Sequence, residues 1–221
     1  MKLLVNALFK FALGLILVGA LIFIPAGTIN YAGGLIFICL LFVPMIALGA
    51  VMLIKAPELL KKRLNSKEQR SSQKCVIAFS GVVFLGGFVL AGFDFRFGWS
   101  HVPSWCVIAA SVVLLASYAA YAEVMRENAY LSRSIEIQQG QKLVSSGLYG
   151  IVRHPMYTST VFLFLTIPIV LGSWVSLACF AFYPLIIVFR IIDEEKLLKN
   201  ELEGYEEYTK RVKYRLIPFI W

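Results

Sequence analysis

Two short clusters near the carboxyl end of the chain hold the residue types best suited to chemistry. The first is Tyr149-Gly150-Ile151-Val152-Arg153-His154-Pro155-Met156-Tyr157. Proline suits the first position of a helix, where no amide hydrogen is needed, and it holds the residue before it extended. Pro155 therefore opens a helix, with Arg153, His154 and Tyr157 around its amino end. Unpaired amides and a partial positive charge make such an end favourable for a carboxylate or phosphate, and Arg153 could complete the contact with a two-pronged hydrogen bond. The plain alternative is an interfacial one: Arg153 anchors to lipid phosphate, His154 caps a turn and Tyr157 belongs to an aromatic belt.

The second cluster is Arg190 followed by Asp193, Glu194 and Glu195. On a continued helix Arg190 shares a face with Asp193 and Glu194. An arginine among Phe189, Ile191 and Ile192 is costly if it faces lipid, so it either faces a helix bundle or snorkels to the interface beside solvated acids.

The elements that position these clusters follow from composition. The chain of 221 residues is 59% hydrophobic and 15% charged, against roughly 25% charged residues in soluble domains. Its apolar residues fall in long runs: Leu8–Ile24, Tyr31–Ile54, Cys75–Phe93, Pro103–Val124, Tyr157–Leu171 and Trp174–Ile192. A bilayer core needs about 20 apolar residues per helical crossing, so the expected fold is an all-α integral membrane protein with about six transmembrane helices. The last two runs, parted only by Gly172 and Ser173, form a helical hairpin whose first arm is short for a crossing. The first run, preceded by Lys2 and followed by Pro25, Ala26 and Gly27, is too long for a signal-peptide core and reads as an uncleaved helix.

The net charge of +8 does not indicate nucleic acid, because the charges lie between apolar runs instead of on one face of a soluble domain. Of 21 lysines and arginines, all but Arg96 fall at the amino end (Lys2, Lys10), between runs two and three (Lys55, Lys61, Lys62, Arg63, Lys67, Arg70, Lys74), between runs four and five (Arg126, Arg133, Lys142, Arg153) or from Arg190 onward. The positive-inside rule then places both termini and the long polar segments in the cytoplasm, with the basic stretch Lys55–Lys74 attracted to anionic headgroups of membrane lipids. Cys39, Cys75, Cys106 and Cys179 sit in or beside apolar runs with no close pair and no nearby histidine, so they read as buried thiols and no metal site is expected.

Residues 125–156 are the longest polar interval. Gly140 and Gly147 punctuate it, and Gln141-Lys142-Leu143-Val144 run extended between them. The hairpin brings the start of its first arm and the end of its second to one side of the membrane, so the two clusters can meet. Donors from the first and carboxylates from the second suit a zwitterionic ligand that also carries a ribose, and the interfacial position suits a lipid-like partner. No glycine-rich loop of the soluble dinucleotide-binding type is present.

With those residues in view, the chain resembles the isoprenylcysteine carboxyl methyltransferase family and, more broadly, membrane methyltransferases that include phospholipid methyltransferases. The resemblance runs from about Glu127 to Trp221. It rests on Lys142-Leu143-Val144, Gly147-Leu148-Tyr149, Arg153-His154-Pro155-Met156-Tyr157, Arg190 with Glu194-Glu195, and Gly204-Tyr205-Glu206-Glu207-Tyr208 leading to Tyr214-Arg215-Leu216-Ile217-Pro218. It implies a methyltransferase core over 125–221 behind N-terminal membrane helices over 1–124, with S-adenosylmethionine held by cytoplasmic segments. Lys142, Leu143 and Val144 would line its adenine end; Tyr149, Arg153, His154, Pro155 and Tyr157 would surround the ribose and methionine parts; Glu194 and Glu195 would hold amino or hydroxyl groups. Arg190 is the implied catalytic residue, facing an amphiphilic or lipidated acceptor.

A carboxylate acceptor is already ionised and needs no base, so O-methylation asks only for alignment. A lipid amine would need Glu194, Glu195 or His154 as a base. The tail departs from the family pattern at Phe219, where many relatives carry glycine. Membrane sterol reductases share the arginine, histidine, proline and tyrosine group and a similar tail, and for them the cofactor would be NADPH.

Overall fold

The computed structural model describes residues 2–64, 71–131, 135 and 137–221, and among them it is all helical, with no strand. Lys67, Arg70 and Arg133 lie outside the described residues. The helices are α1 (Lys2–Ala26), α2 (Ala32–Lys55), α3 (Pro57–Leu64), α4 (Ser71–Phe97), α5 (Ser104–Glu127), α6 (Pro155–Val170), α7 (Trp174–Phe180), α8 (Tyr183–Glu201) and α9 (Tyr205–Arg211), with a single 3₁₀ turn over Gly147–Gly150.

Among the described residues, five spans are long and apolar enough to cross a membrane: α1, α2, Val76–Phe97 within α4, α5, and Trp174–Glu201, which joins α7 and α8. The sixth expected crossing, α6, has only 16 residues, about 24 Å of helix at 1.5 Å per residue. Its environment accounts for the length. Tyr157, Val161, Leu163, Ile167 and Val170 are all buried, packed among α4, α5, α7 and α8. A helix enclosed by other helices need not match the bilayer thickness on its own. On α8, by contrast, Leu185, Phe189 and Ile192 form an exposed apolar stripe for lipid while Ile186, Ile187 and Ile191 point inward.

The last span is interrupted between α7 and α8. Pro184 cannot supply an amide hydrogen, so the helix pattern breaks after Phe180 and the amides of Ala181 and Phe182 reach the carbonyls of Leu177 and Cys179. Phe180 at this break lies against Gly87 of α4, where even a methyl group would stand 2.4 Å from its ring. Only glycine allows that approach.

At the end of the bundle remote from the clusters, Asp94 is 1% exposed. It accepts hydrogen bonds from the amide and hydroxyl of Ser100 at 2.7 and 2.6 Å and from the hydroxyl of Ser173, whose oxygen in turn caps α7 by accepting from the Ser176 amide at 2.9 Å. This knot pins the α6–α7 turn to the end of α4, so the hairpin is fixed at one end while its other end carries the clusters.

Candidate functional site

His154 caps α6 with Pro155 at the helix start, as its sequence demands. The amides of Arg153 and His154 donate to the carbonyls of Tyr214 and Arg215 at 2.9 and 3.0 Å, and the Thr158 hydroxyl reaches the carbonyl of Leu216 at 2.7 Å. The C-terminal tail thus pairs with the segment entering α6, so these two amides are taken by protein carbonyls.

Glu195 lies directly beneath. Its Oε1 is 2.8 Å from Arg153 Nε and 3.2 Å from His154 Nε2, and its Oε2 accepts from Arg215 Nε at 2.9 Å. The Arg153 Nε contact has the distance of an ion pair but lies off the hydrogen-bond direction, and this nitrogen has no other partner among the described residues. The Arg153 guanidinium also donates from Nη1 to the carbonyls of Val212 and Thr209 at 3.4 and 3.5 Å. One buried carboxylate therefore ties α8 to the start of α6 and to the tail.

Glu194, one residue earlier, points elsewhere. It accepts a 2.5 Å bond from the Tyr157 hydroxyl, which itself accepts from Arg190 Nε at 2.9 Å. The Arg190 Nη1 lies 3.5 Å from Gln73 Oε1, and Gln73 Nε2 donates to Asp193 at 2.7 Å. Gln73 is almost fully buried near the start of α4.

Above this network lies a cleft partly open to solvent. Of the residues singled out from sequence, Lys142, Leu143, Val144, Tyr149, Arg153, His154, Tyr157 and Glu194 line it. Pro155, Glu195 and Arg190 do not: Pro155 starts the helix, Glu195 is beneath the cleft, and Arg190 stands behind Tyr157.

The polar interval reaches the cleft by local chemistry. Gly147 has φ +54, and a Cβ there would stand 1.5 Å from Glu127 Oε1. The Glu127 carboxylate uses that gap to accept from the Leu148 amide at 3.1 Å. Tyr149 then accepts from Asn128 Nδ2 at 2.9 Å, and its carbonyl accepts from the Tyr208 hydroxyl at 2.7 Å. Leu143 packs with Leu198, Leu202, Tyr205 and Tyr208 of the α8–α9 region.

Sequence reasoning assigned no role to Tyr205 and Tyr208, although they stand three apart after Gly204, whose φ of +78 starts α9. Both line the cleft. The Tyr205 hydroxyl is buried with no hydrogen-bond partner among the described residues. Burial, then the charges of Glu195 and Glu194, pushes its pKa well up. Burial likewise raises Tyr149, against an opposing hydrogen bond from Asn128, and lifts Tyr208 to about 12. All three phenols stay protonated at neutral pH; Tyr208 already donates to the Tyr149 carbonyl, and Tyr205 is left as a donor without a partner among the described residues.

The family model for phospholipid methyltransferases matches residues 101–203. That match takes in the polar interval, the hairpin and Glu194. Curated relatives carry a different name. The Delta(14)-sterol reductase TM7SF2 of Mus musculus is 31% identical over 91 residues, 40% of this chain and 22% of that protein. The Delta(14)-sterol reductase of Methylotuvimicrobium alcaliphilum is 25% identical over 135 residues, 54% of this chain and 32% of that protein. The Delta(14)-sterol reductase erg24 of Schizosaccharomyces pombe is 31% identical over 90 residues, 39% of this chain and 21% of that protein. The chain spans about a fifth to a third of the length of these relatives.

Proposed function

We propose that the protein is an S-adenosylmethionine-dependent methyltransferase acting on a lipid-like acceptor at the membrane interface. The observation that carries this reading is the charge of the cleft. Arg153 and His154 line it above Glu195, which they share with Arg215, and beside Lys142 the Glu194 carboxylate borders the cleft itself. A bordering carboxylate suits a ligand bearing an ammonium or sulfonium and opposes one bearing several phosphates. The unpartnered Tyr205 hydroxyl fits the polar atoms of such a ligand.

Lys142, Leu143 and Val144 would hold the adenine end, Tyr149, His154 and Tyr205 the ribose and methionine parts, and Glu194 the ammonium. When bound, the cofactor supplies an electrophilic methyl group on sulfur, open to in-line displacement by an aligned acceptor. Tyr157 orients Glu194 through its 2.5 Å bond, and Arg190 orients Tyr157 in turn. Leu143, Leu198 and Leu202 exclude water from one wall.

Two acceptors make different demands. A prenylated or other amphiphilic carboxylate needs a cation, and Arg190 is near but already donates to Tyr157. A phospholipid amine needs a group that takes its proton, and His154 stands at the cleft wall while Glu194 holds the cofactor ammonium. The second requires fewer rearrangements and agrees with the description of the matching family. We further propose that both termini are cytoplasmic, on the distribution of positive charge; a reporter active only across the membrane and fused after Trp221 should stay silent.

NADPH-dependent reduction is a second reading, favoured by the similarity to sterol reductases. Binding of radiolabelled S-adenosylmethionine against NADPH, on purified protein in detergent, separates the two. His154→Ala and Glu194→Ala should each weaken S-adenosylmethionine binding by roughly ten- to a hundredfold, the loss of a charge-assisted hydrogen bond. Saturable NADPH binding with no S-adenosylmethionine binding overturns the methyltransferase reading.

A further inference from the structure

The tail from Arg215 to Trp221 closes on itself. The terminal oxygen of Trp221 accepts from the amides of Arg215, Leu216 and Ile217 at 2.8, 3.0 and 3.3 Å, while the Ile220 and Trp221 amides both reach the carbonyl of Ile217 at 3.1 Å. Closing so small a loop places residue 219 in the left-handed region. Phe219, with φ +66, is the one non-glycine residue with positive φ among the described residues. The loop accounts for the backbone angle but not for the side chain. Glycine adopts that angle without strain, whereas a bulky aromatic residue there is an outlier that calls for a separate reason.

That side chain is also uncovered. Phe219 is 88% exposed and Ile220 76%, and among the described residues the only ring contact of Phe219 is with Tyr214. The rest of the loop is not adrift in solvent. Leu216, Ile217 and Trp221 pack in one cluster with Val76 and Val83 of α4 and with Val161, Ile186 and Ile187 of the hairpin, and the Leu216 carbonyl is bonded to Thr158 in the first turn of α6. Just before it, Lys210, Arg211 and Lys213 are exposed. An aromatic and aliphatic tip flanked by exposed cations, at the level where helices leave the bilayer, is the pattern of a segment lying in a lipid interface.

We propose that Phe219 and Ile220 insert into the headgroup and acyl boundary of the adjacent leaflet, with Lys210, Arg211 and Lys213 on lipid phosphates. The contact holds the loop, and through it Arg215, whose guanidinium stacks on Trp221 with 5.0 Å to the ring centroid while bonding Glu195. Lipid contact at the tip thereby steadies the ion cluster below the cleft. The inference concerns the tail alone and stands whether or not the cleft binds S-adenosylmethionine.

The test uses the full chain with Trp99, Trp105, Trp174 and Trp221 replaced by Phe, and a single tryptophan restored by Phe219→Trp or, in a second protein, Ile220→Trp. Each is reconstituted in vesicles of phosphatidylcholine and phosphatidylglycerol, with or without bromine high on the acyl chains. Brominated lipid should remove most of the emission at both positions, and aqueous iodide should leave it largely unchanged. Quenching by iodide alone places the tip in water and overturns the proposal. Protection from both quenchers also overturns it, because the tip is then covered by protein. A variant that fails to fold leaves the other position to decide.

Discussion

Replacing Glu195 by glutamine keeps the shape of the side chain and removes the charge that three basic groups share. Arg153 and His154 are 8% and 4% exposed at their side chains, against 32% for Arg215. In the variant, Arg153 keeps only the long bonds to the Thr209 and Val212 carbonyls, at 3.5 and 3.4 Å, and becomes a buried cation without its counter-charge. Breaking a buried pair in this way costs about 3–5 kcal/mol. For a chain of this size each kcal/mol moves the melting temperature by about 2–4 °C, so Glu195→Gln should melt roughly 6–20 °C below the parent. Arg215→Gln should cost only about 1 kcal/mol, because solvent screens an exposed partner. The assay is thermal unfolding of purified protein in one detergent, at one pH and without ligand. A Glu195→Gln shift below ~2 °C, less than a single kcal/mol, or a larger loss for Arg215→Gln, would refute the view that Glu195 anchors the site from below.

Gly147→Ala should destabilise by about 2–3 kcal/mol, combining left-handed strain with loss of the Glu127 bond to the Leu148 amide. Adding it to Glu127→Ala should cost only the backbone part, and full additivity in that cycle argues against the contact. Arg190→Lys keeps the charge but loses the planar fork that reaches Tyr157 and Gln73 together. S-adenosylmethionine affinity and turnover should both fall by about three- to tenfold, roughly 0.65 to 1.4 kcal/mol, because Arg190 acts through Tyr157 on Glu194; unchanged binding with lost turnover in a folded variant places Arg190 with the acceptor instead. Gln73→Ala should lower both through Arg190 and Asp193 in the same way, with Gln73→Glu failing to restore them because a carboxylate cannot donate to Asp193. Unchanged turnover in both variants removes Gln73 from the network.

The membrane helices were legible because a span of bilayer imposes a length on apolar runs: the first five runs reappear as single helices with ends shifted by at most six residues, and the last is split into α7 and α8. The meeting of the two clusters was legible too, since a hairpin with a two-residue turn leaves its free ends side by side. The short sixth crossing was visible as a short run, but the cause lies in packing: hydropathy does not distinguish an apolar face that meets lipid from one that meets other helices. Gln73 and Arg215 were invisible as partners because they lie 117 and 20 residues from the groups they bond, Arg190 and Glu195. Only the assembled bundle makes them neighbours.

The acids at the end of α8 show where motif reading stops and geometry begins. Glu194 and Glu195 are adjacent and chemically identical, and the resemblance gave them one role. Successive residues on a helix are turned by about 100°, so they cannot both face one ligand. Whichever acid faces the start of α6 must neutralise Arg153 and His154, and only the other is left to present a charge to the cleft. The rotation of α8 about its axis decides between them. That rotation gives the buried role to Glu195 and the cleft to Glu194. It also leaves Glu194 as the one carboxylate among the described residues lining the cleft, beside Lys142, Arg153 and His154.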